Sequence, residues 1–302
     1  MKKVLKIIGI TLLTTLLLFI GFTTFITFTD YKPLPVEVLK PFDSSHPEKP
    51  VSDTTFTIMT WNVGYAGLGD EMDFFYDGGE NVRTSWEATT SHLRNIRRFL
   101  HDNDSIDFWL IQEVDAQAHR TYNLNELDSL KQDLPEFEST FATNYLVPFV
   151  PVPVTEPMGA VHAGMMTLSR FRATESIRYA YPLIASWPER LFLLDRCFIF
   201  NRYPLLNGHD LCVINTHNSA YVVDSMLRVE ELQILRKVML LEYQKILCLN
   251  PIYSFIIFIF IFLLLPSKKK ATFNSLSWSL STRWGVILHL FLLRFKKCRR
   301  KC

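Results

Sequence analysis

The stretch SIDFWLIQEVD, residues 105–115, decides the fold class of this 302-residue chain. Its apolar residues run without alternation through Ile111, which is typical of a strand that is buried on both faces. Two polar residues, Gln112 and Glu113, follow directly at the end of the apolar run. Because loops after buried strands are where α/β folds place reactive groups, Glu113 is the first candidate site residue.

The surrounding sequence adds a regular order of strands and helices. Upstream, TFTIMTWNVG (residues 55–64) alternates like a strand, and an amphipathic helix ends at His101. Downstream we predict a short helix over 124–134, strands over 139–147, 162–170, 174–180, 194–204 and 209–218, and a helix over 225–245. Strand–helix–strand, then a meander of strands, then a helix predicts an α/β domain (α+β type) with mixed sheets.

Four predicted strands end in polar groups. These groups are Asn62 in TWNVG, Glu113 in LIQEVD, Arg170 in GMMTLSR, and Asn215 with His217 in VINTHNSAY. Taken alone, each residue has an ordinary structural interpretation as a turn cap, a solvated charge or a hydrogen-bonded histidine. Together they are what a magnesium-assisted phosphoester hydrolase needs, because Mg²⁺ prefers a carboxylate with water and substrate oxygens. Amide and imidazole groups can then hold the phosphate.

The order of these segments, TIMTWNVG, DFWLIQEVD, GMMTLSR and LCVINTHNS, resembles the endonuclease/exonuclease/phosphatase superfamily. The resemblance covers residues 54–245 and implies the fold of deoxyribonuclease I. That fold is a four-layer sandwich of two mixed β-sheets flanked by helices. The implied activity is hydrolysis of a phosphodiester or phosphomonoester with Mg²⁺, or with Mn²⁺ in its place. The anchor and the proline-rich stretches are similar to membrane-associated bacterial members.

The resemblance also implies roles for single residues. Glu113 corresponds to the metal ligand, and Asn62 lies beside the metal and the phosphate. His217 corresponds to the catalytic residue that hydrogen-bonds the scissile phosphate, and Asn215 supports the same strand end. Arg170 lies in the matching Leu-Ser-Arg segment and is a candidate for substrate binding.

The chain departs from the family pattern after residue 245. The family continues there into a strand that ends in Gly-Asp-x-Asn, and later into Ser-Asp-His. Residues 246–302 contain no Asp, and their single histidine is His289. We therefore expect a sandwich that is incomplete on its C-terminal side and a chain that lacks part of its catalytic groups.

The composition changes at the same point. Residues 1–245 carry 22 Lys and Arg with 30 Asp and Glu, whereas residues 246–302 carry 10 Lys and Arg with no acidic residue. Three interpretations of the tail are open: a second membrane span over 246–266, the product of a shifted reading frame on AT-rich DNA, or a basic segment that binds anionic lipid. We favour the frame shift, because the tail begins where the next sheet strand is expected.

The N-terminus predicts a membrane anchor over residues 1–29. Lys2, Lys3 and Lys6 precede 22 uncharged residues, Ile7–Phe28, which are long enough to cross a bilayer. The lysines predict a cytoplasmic N-terminus and an extracytoplasmic domain, with a cleaved or lipid-processed signal as the alternative. Residues 30–53 are rich in proline and predict an extended linker that holds the domain off the bilayer.

Two kinds of partner follow from this organisation, the lipid bilayer and a phosphoester substrate of undetermined class. The acidic balance of residues 1–245 argues against a nucleic-acid surface. The alternative function is that of a non-enzymatic, two-span membrane protein that uses its domain for binding. A lipid phosphodiesterase is a further alternative, suggested by the membrane setting. The sequence does not indicate an oligomeric state.

Overall fold

A computed structural model describes residues 1–41, 55–206, 208, 210–219, 225–249, 256–262 and 274–279 of the chain. Its strands are β1 (Val36–Val38), β2 (Thr55–Asn62), β3 (Phe108–Ala118), β4 (Glu138–Val150), β5 (Gly159–Ser169), β6 (Glu175–Ala180), β7 (Cys197–Pro204), β8 (Asp210–His217), β9 (Ile256–Phe262) and β10 (Asn274–Ser279). Its helices are α1 (Lys2–Phe28), α2 (Trp86–Asp102), α3 (Glu126–Asp133) and α4 (Ser225–Leu249). The predicted α/β fold is confirmed.

The strands form two mixed sheets. The first has the order β1-β6-β7-β8 with β9 added at its edge, and the second has the order β2-β3-β5-β4 with β10 added beside β2. Strand β2 runs parallel to β3, while β5 is antiparallel to both β3 and β4. The carboxyl ends of β2 and β3 therefore point to the same end of the second sheet.

Helices cover the outer face of each sheet, which gives the four layers that the resemblance implied. Helices α2 and α3 bury Leu100 and Leu130 against Trp109 of β3. Helix α4 buries Leu235 against Phe200 of β7 on the other side. Between the sheets lies an apolar core of Phe56, Ile58, Phe108, Leu110, Tyr203, Leu211 and Val213. Full burial of a large apolar side chain contributes roughly 1.5–3 kcal/mol, so this core holds the two sheets face to face.

The segment before the domain is docked on it. Strand β1 pairs antiparallel with the edge strand β6, with Glu37 opposite Arg178. The buried Arg178 guanidinium donates to the carbonyl oxygens of Thr143 and Asp195 at 3.0 and 2.9 Å. Part of the predicted linker is therefore docked, because Val36–Val38 pair with β6, whereas the spacing of the domain from the bilayer stays a prediction. Residues 42–54 lie outside the described residues.

We predict a pH-dependent stability at the loop that this segment covers. Burial raises the pKa of Asp195 from its ordinary value of 3.8 to about 6, although Arg178 lowers it in part. An acid whose folded pKa is raised stabilises the fold below its unfolded pKa, and that contribution is lost as the pH rises toward 6. Asp195→Asn should therefore raise the melting temperature at pH 7 and leave it unchanged near pH 3.5. Thermal unfolding at both pH values measures this, and an equal shift at the two would contradict it.

The chain stays in the fold beyond the predicted domain boundary. Helix α4 passes Lys245 and ends at Leu249, and β9 then pairs in parallel with β8 over seven residues. Residues 256–262 are therefore a sheet strand, and the alternative of a second membrane span over 246–266 is wrong for them. In the part of the chain that the structure describes, α1 is the one helix that is long and apolar enough to cross a membrane.

Candidate active site

Two strand ends and a bulge within a third strand bring predicted site residues together between the sheets. Asn62 ends β2, Glu113 lies in β3, and His217 ends β8. The Asn62 amide nitrogen donates to Glu113 Oε1 at 2.7 Å, and His217 Nε2 lies 3.4 Å from the same oxygen. The structure therefore places Asn62 and His217 beside the carboxylate of Glu113, although the three residues are far apart in the sequence.

A β-bulge presents the carboxylate. The pairing of β3 with β5 shifts by one residue between Ile111 and Val114, and Glu113 adopts a left-handed backbone with a φ of 57°. That conformation costs roughly 1–3 kcal/mol for a residue with a side chain, which the surrounding sheet has to offset. Gly164, opposite the bulge, has no room for a side chain, because a Cβ would clash with the carbonyl oxygen of Ala142 on β4. This explains the glycine of the GMMTLSR segment.

Burial dominates the electrostatics of the two titratable groups at the site. Burial raises the pKa of Glu113, and the hydrogen bond from Asn62 and the charges of Arg120 and Arg196 lower it only in part. Burial and the Arg196 charge hold the pKa of His217 well below its ordinary range. His217 is therefore neutral at pH 7, and neither of its buried ring nitrogens has a hydrogen-bond partner in the described ranges.

A pair of buried amides joins the two sheets directly below the site. Gln112 donates to Asn215 Oδ1 at 2.7 Å, and the Asn215 amide nitrogen donates to the carbonyl oxygen of Met166 at 2.9 Å. Both side chains are fully buried, and their hydrogen bond holds the β8 end in register with β3. Gln112 was not among the predicted site residues, although its place next to Glu113 was a signal for it.

A buried ion pair supports the loop on the other side of Glu113. Arg120 binds both carboxylate oxygens of Asp115, at 2.8 and 3.1 Å, and lies 3.6 Å above the ring centroid of Tyr65. Glu126 accepts the backbone N–H of Asp115 at 2.9 Å. Sequence reasoning missed these residues, because Arg120 lies between the predicted strand of residues 105–115 and the predicted helix over 124–134.

A second polar cluster holds the strand end that carries His217. The buried Glu231 carboxylate of α4 accepts the backbone and side-chain donors of Ser219, at 3.0 and 2.8 Å, and the amide of Asn218 at 3.0 Å. Arg196 donates to the carbonyl oxygen of Asn218 at 3.3 Å. The loop after β8 is therefore fixed by hydrogen bonds from outside its own strand.

The structure does not bring Arg170 to the other predicted site residues, and its role in substrate binding stays a prediction. Strand β5 is antiparallel to β3, with Ser169 opposite Phe108, so Arg170 lies at the end of the sheet away from Glu113. Its guanidinium lies 4.7 Å above the ring of Phe137. Arg170 therefore has a packing role in this structure.

The residues present fit a hard divalent cation. Within the described ranges no group of three His, Cys, Asp or Glu side chains forms a metal cluster. Mg²⁺ keeps several waters and needs one or two carboxylates, so Glu113 alone, with the Asn62 amide beside it, is a sufficient protein contribution. The Glu113 side chain is 18% exposed, so water and an ion can reach its carboxylate.

Fold and site together define a phosphoesterase-like α/β sandwich. The family model of the Endonuclease/Exonuclease/phosphatase family matches residues 59–246, which is more than half of the chain. The chain belongs to this family, whose enzymes generally use divalent metal ions. No curated protein was found to match the sequence.

Solved structures of the same family resemble the chain in part. An endonuclease/exonuclease/phosphatase from Beutenbergia cavernae is 19% identical, with 60% of this chain and 43% of that chain covered and a TM-score of 0.42. A Bacteroides vulgatus protein is 16% identical over 61% and 60% of the two chains, with a TM-score of 0.40. The catalytic domain of human Nocturnin is 18% identical over 63% and 61%, with a TM-score of 0.39. The chain thus matches less than two thirds of each of these proteins.

Proposed function

We propose that the site of Glu113 hydrolyses phosphoester bonds with Mg²⁺, for which Mn²⁺ can substitute. The observation that carries the proposal is the meeting of Asn62 and His217, which end β2 and β8, with Glu113, which a bulge within β3 presents to them. Each of the three residues comes from a different strand, so the arrangement depends on the whole sandwich.

Each residue has a distinct task in this proposal. Glu113 holds the cation, and Asn62 orients the carboxylate and reaches the phosphoryl oxygens beside it. Bound Mg²⁺ would supply charge neutralisation at those oxygens. The neutral His217 donates one ring N–H to a phosphate oxygen, which is a role for which its lowered pKa suits it. Gln112 and Asn215 keep the strand ends at the required separation.

The chain as it stands is proposed to turn over substrate slowly. It contains no Asp after Asp224, so the family's Gly-Asp-x-Asn and Ser-Asp-His groups are absent from this sequence. Those groups orient the attacking water and exchange its proton, and general acid–base help is worth about 10²–10⁴-fold in rate. The site therefore retains cation and phosphate binding, while the proton-transfer groups are missing.

The proposed place of action is a membrane surface. Helix α1 provides the anchor, and the lysines that precede its apolar stretch orient the domain toward the extracytoplasmic side. The proposal defines the substrate only as a phosphoester, because the site geometry supports phosphate binding and does not distinguish one kind of phosphoester from another.

Cation binding by Glu113 can be measured without turnover. Mg²⁺ at ten times its Kd should stabilise the full chain in detergent by about 1.4 kcal/mol, because it binds the folded state. Glu113→Gln should abolish the resulting rise of about 3–6 °C in melting temperature. Glu138→Gln is the matched control, since Glu138 is a buried strand carboxylate that accepts the N–H of Ala173 away from the site. An equal Mg²⁺ effect in wild type and Glu113→Gln would refute the metal site.

A further inference from the structure

The last turns of α1 pack against the domain. Residues 2–21 of the helix are exposed, whereas Ile26 is buried. The ring of Phe22 meets that of Phe149 at a centroid distance of 6.1 Å, and Trp187 Nε1 donates to Thr27 Oγ1 at 3.1 Å. Phe22 and Ile26 are four residues apart and share one helix face. That face is therefore seated on the end of β4 and on the loop after β6.

These two segments form an apolar rim, defined as residues 146–155 (LVPFVPVPVT), which include the end of β4, and 181–187 (YPLIASW). Neither segment contains a charged residue. The rim exposes the large apolar side chains Leu146, Phe149, Val152, Val154, Ile184 and Trp187, with Val154 88% and Trp187 58% exposed. Exposed loops are normally polar, and a contiguous apolar patch marks a surface that contacts a partner or a membrane.

The position of the rim along α1 matches the depth of a bilayer interface. Phe22 lies six residues before the end of α1, which is about 9 Å along the helix axis. Interfacial apolar groups insert about 5–10 Å into the boundary between head groups and acyl chains. A helix that spans the bilayer therefore holds Phe149 and its neighbours at the level of this boundary. Trp187 has the amphipathic side chain that is enriched at this level.

We propose that the apolar rim docks the domain onto the bilayer that α1 spans, with Phe149, Val154 and Trp187 inserted into the interface. The proposal rests on the proposed anchoring by α1. It adds that the domain itself binds lipid, and it commits to the bilayer as the occupant of this surface. The rim is continuous with the membrane-spanning helix, so covering it needs no second protein.

The docked orientation also determines which way the candidate site faces relative to the bilayer. The loop that contains Trp187 starts at Tyr181, whose hydroxyl hydrogen-bonds Thr216 at 2.8 Å, next to His217. Val150 pairs with Gly159 at the end of the second sheet toward which β3 runs after Glu113. The rim and the site thus lie at the same end of the sandwich, and docking turns that end toward the bilayer.

Lipid contact can be tested with a fluorescent label at single cysteines of the full chain. Cys248, Cys298 and Cys302 are first replaced by serine, and Cys197 and Cys212 are buried. An environment-sensitive NBD group is then attached at Val154→Cys, at Leu206→Cys or at Leu16→Cys, and each protein is reconstituted into phosphatidylcholine vesicles. Leu206 is the matched control, because it is apolar, 66% exposed and beyond the opposite end of β7.

The proposal expects a blue-shifted emission at position 154 that nitroxide-labelled lipids quench, and neither effect at position 206. Quenching at position 16 reports separately on the span. If the label at position 16 is quenched while the label at position 154 shows neither the blue shift nor the quenching, then α1 spans the bilayer but the proposed docking surface is refuted. If position 16 is not quenched, the anchor is refuted and the docked arrangement with it.

Discussion

Arg120→Met is expected to lower the free energy of unfolding by about 3–5 kcal/mol, because it leaves the Asp115 carboxylate buried without a counter-ion. Asp115 is fully buried, and both of its oxygens accept hydrogen bonds from Arg120. The substitution also removes the guanidinium above Tyr65, in the loop that follows β2. The effect should therefore extend to the candidate site. Chemical unfolding of the full chain in detergent, followed by near-UV circular dichroism, measures the loss.

Arg83→Met is the matched control for this experiment. Arg83 also lies above a tyrosine ring, 4.6 Å from that of Tyr122, and pairs with one carboxylate, Glu156 at 3.2 Å. Its pair is exposed, so its loss should cost at most about 1 kcal/mol. Adding Asp115→Asn to Arg120→Met should recover part of the stability, since it removes the unpaired charge. Equal small losses from the two arginine substitutions would show that the buried pair is not a support of the site.

Exchange of residues 246–302 for a family segment with Gly-Asp-x-Asn and Ser-Asp-His is expected to raise Mg²⁺-dependent phosphoester hydrolysis by about 10²–10⁴-fold. The reason is that, in the proposed function, the residues of the described site bind cation and phosphate, while the motifs that move the proton of the attacking water are absent from residues 246–302. Strand β9 already lies parallel to β8 where such a segment would enter. Initial rates on soluble phosphodiester and phosphomonoester substrates provide the measurement.

The same exchange in a Glu113→Gln chain should remain inactive, which separates a completed site from activity that the new segment brings with it. The chain as it stands is compared in the same assay. If it already hydrolyses either substrate as fast as the exchanged chain, then the proposal that it lacks proton-transfer groups is wrong. A chain that gains activity without needing Glu113 would contradict the proposed metal site.

The candidate site was predictable to the extent that it depends on strand ends. Asn62, Glu113 and His217 each follow an apolar run, and the structure brings all three together. Arg170 also follows an apolar run, yet it lies at the other end of the sheet, because β5 is antiparallel to β3. Local sequence shows that a strand ends at a residue, but the direction of that strand is set by its pairing with distant strands.

The sequence did not predict the residues that support the site, because their contacts also depend on the packing of distant segments. Gln112 and Asn215 are 103 residues apart, and their hydrogen bond exists only because two sheets pack face to face. Arg120 would be solvated in a loop, and it becomes a structural residue only when Asp115 is buried next to it. Polar residues carry no periodic signal of burial, whereas apolar residues do.

By itself the sequence determined the layered α/β class, the apolar helix at the N-terminus and the strand ends that carry the candidate site, because these depend on local patterns of apolar and polar residues. Only the tertiary structure decided that Val36–Val38 pair with β6, that Glu113 sits on a bulge and that the apolar rim meets the end of α1. Those features arise from contacts between distant segments, whose free energy depends on which surfaces the fold places together.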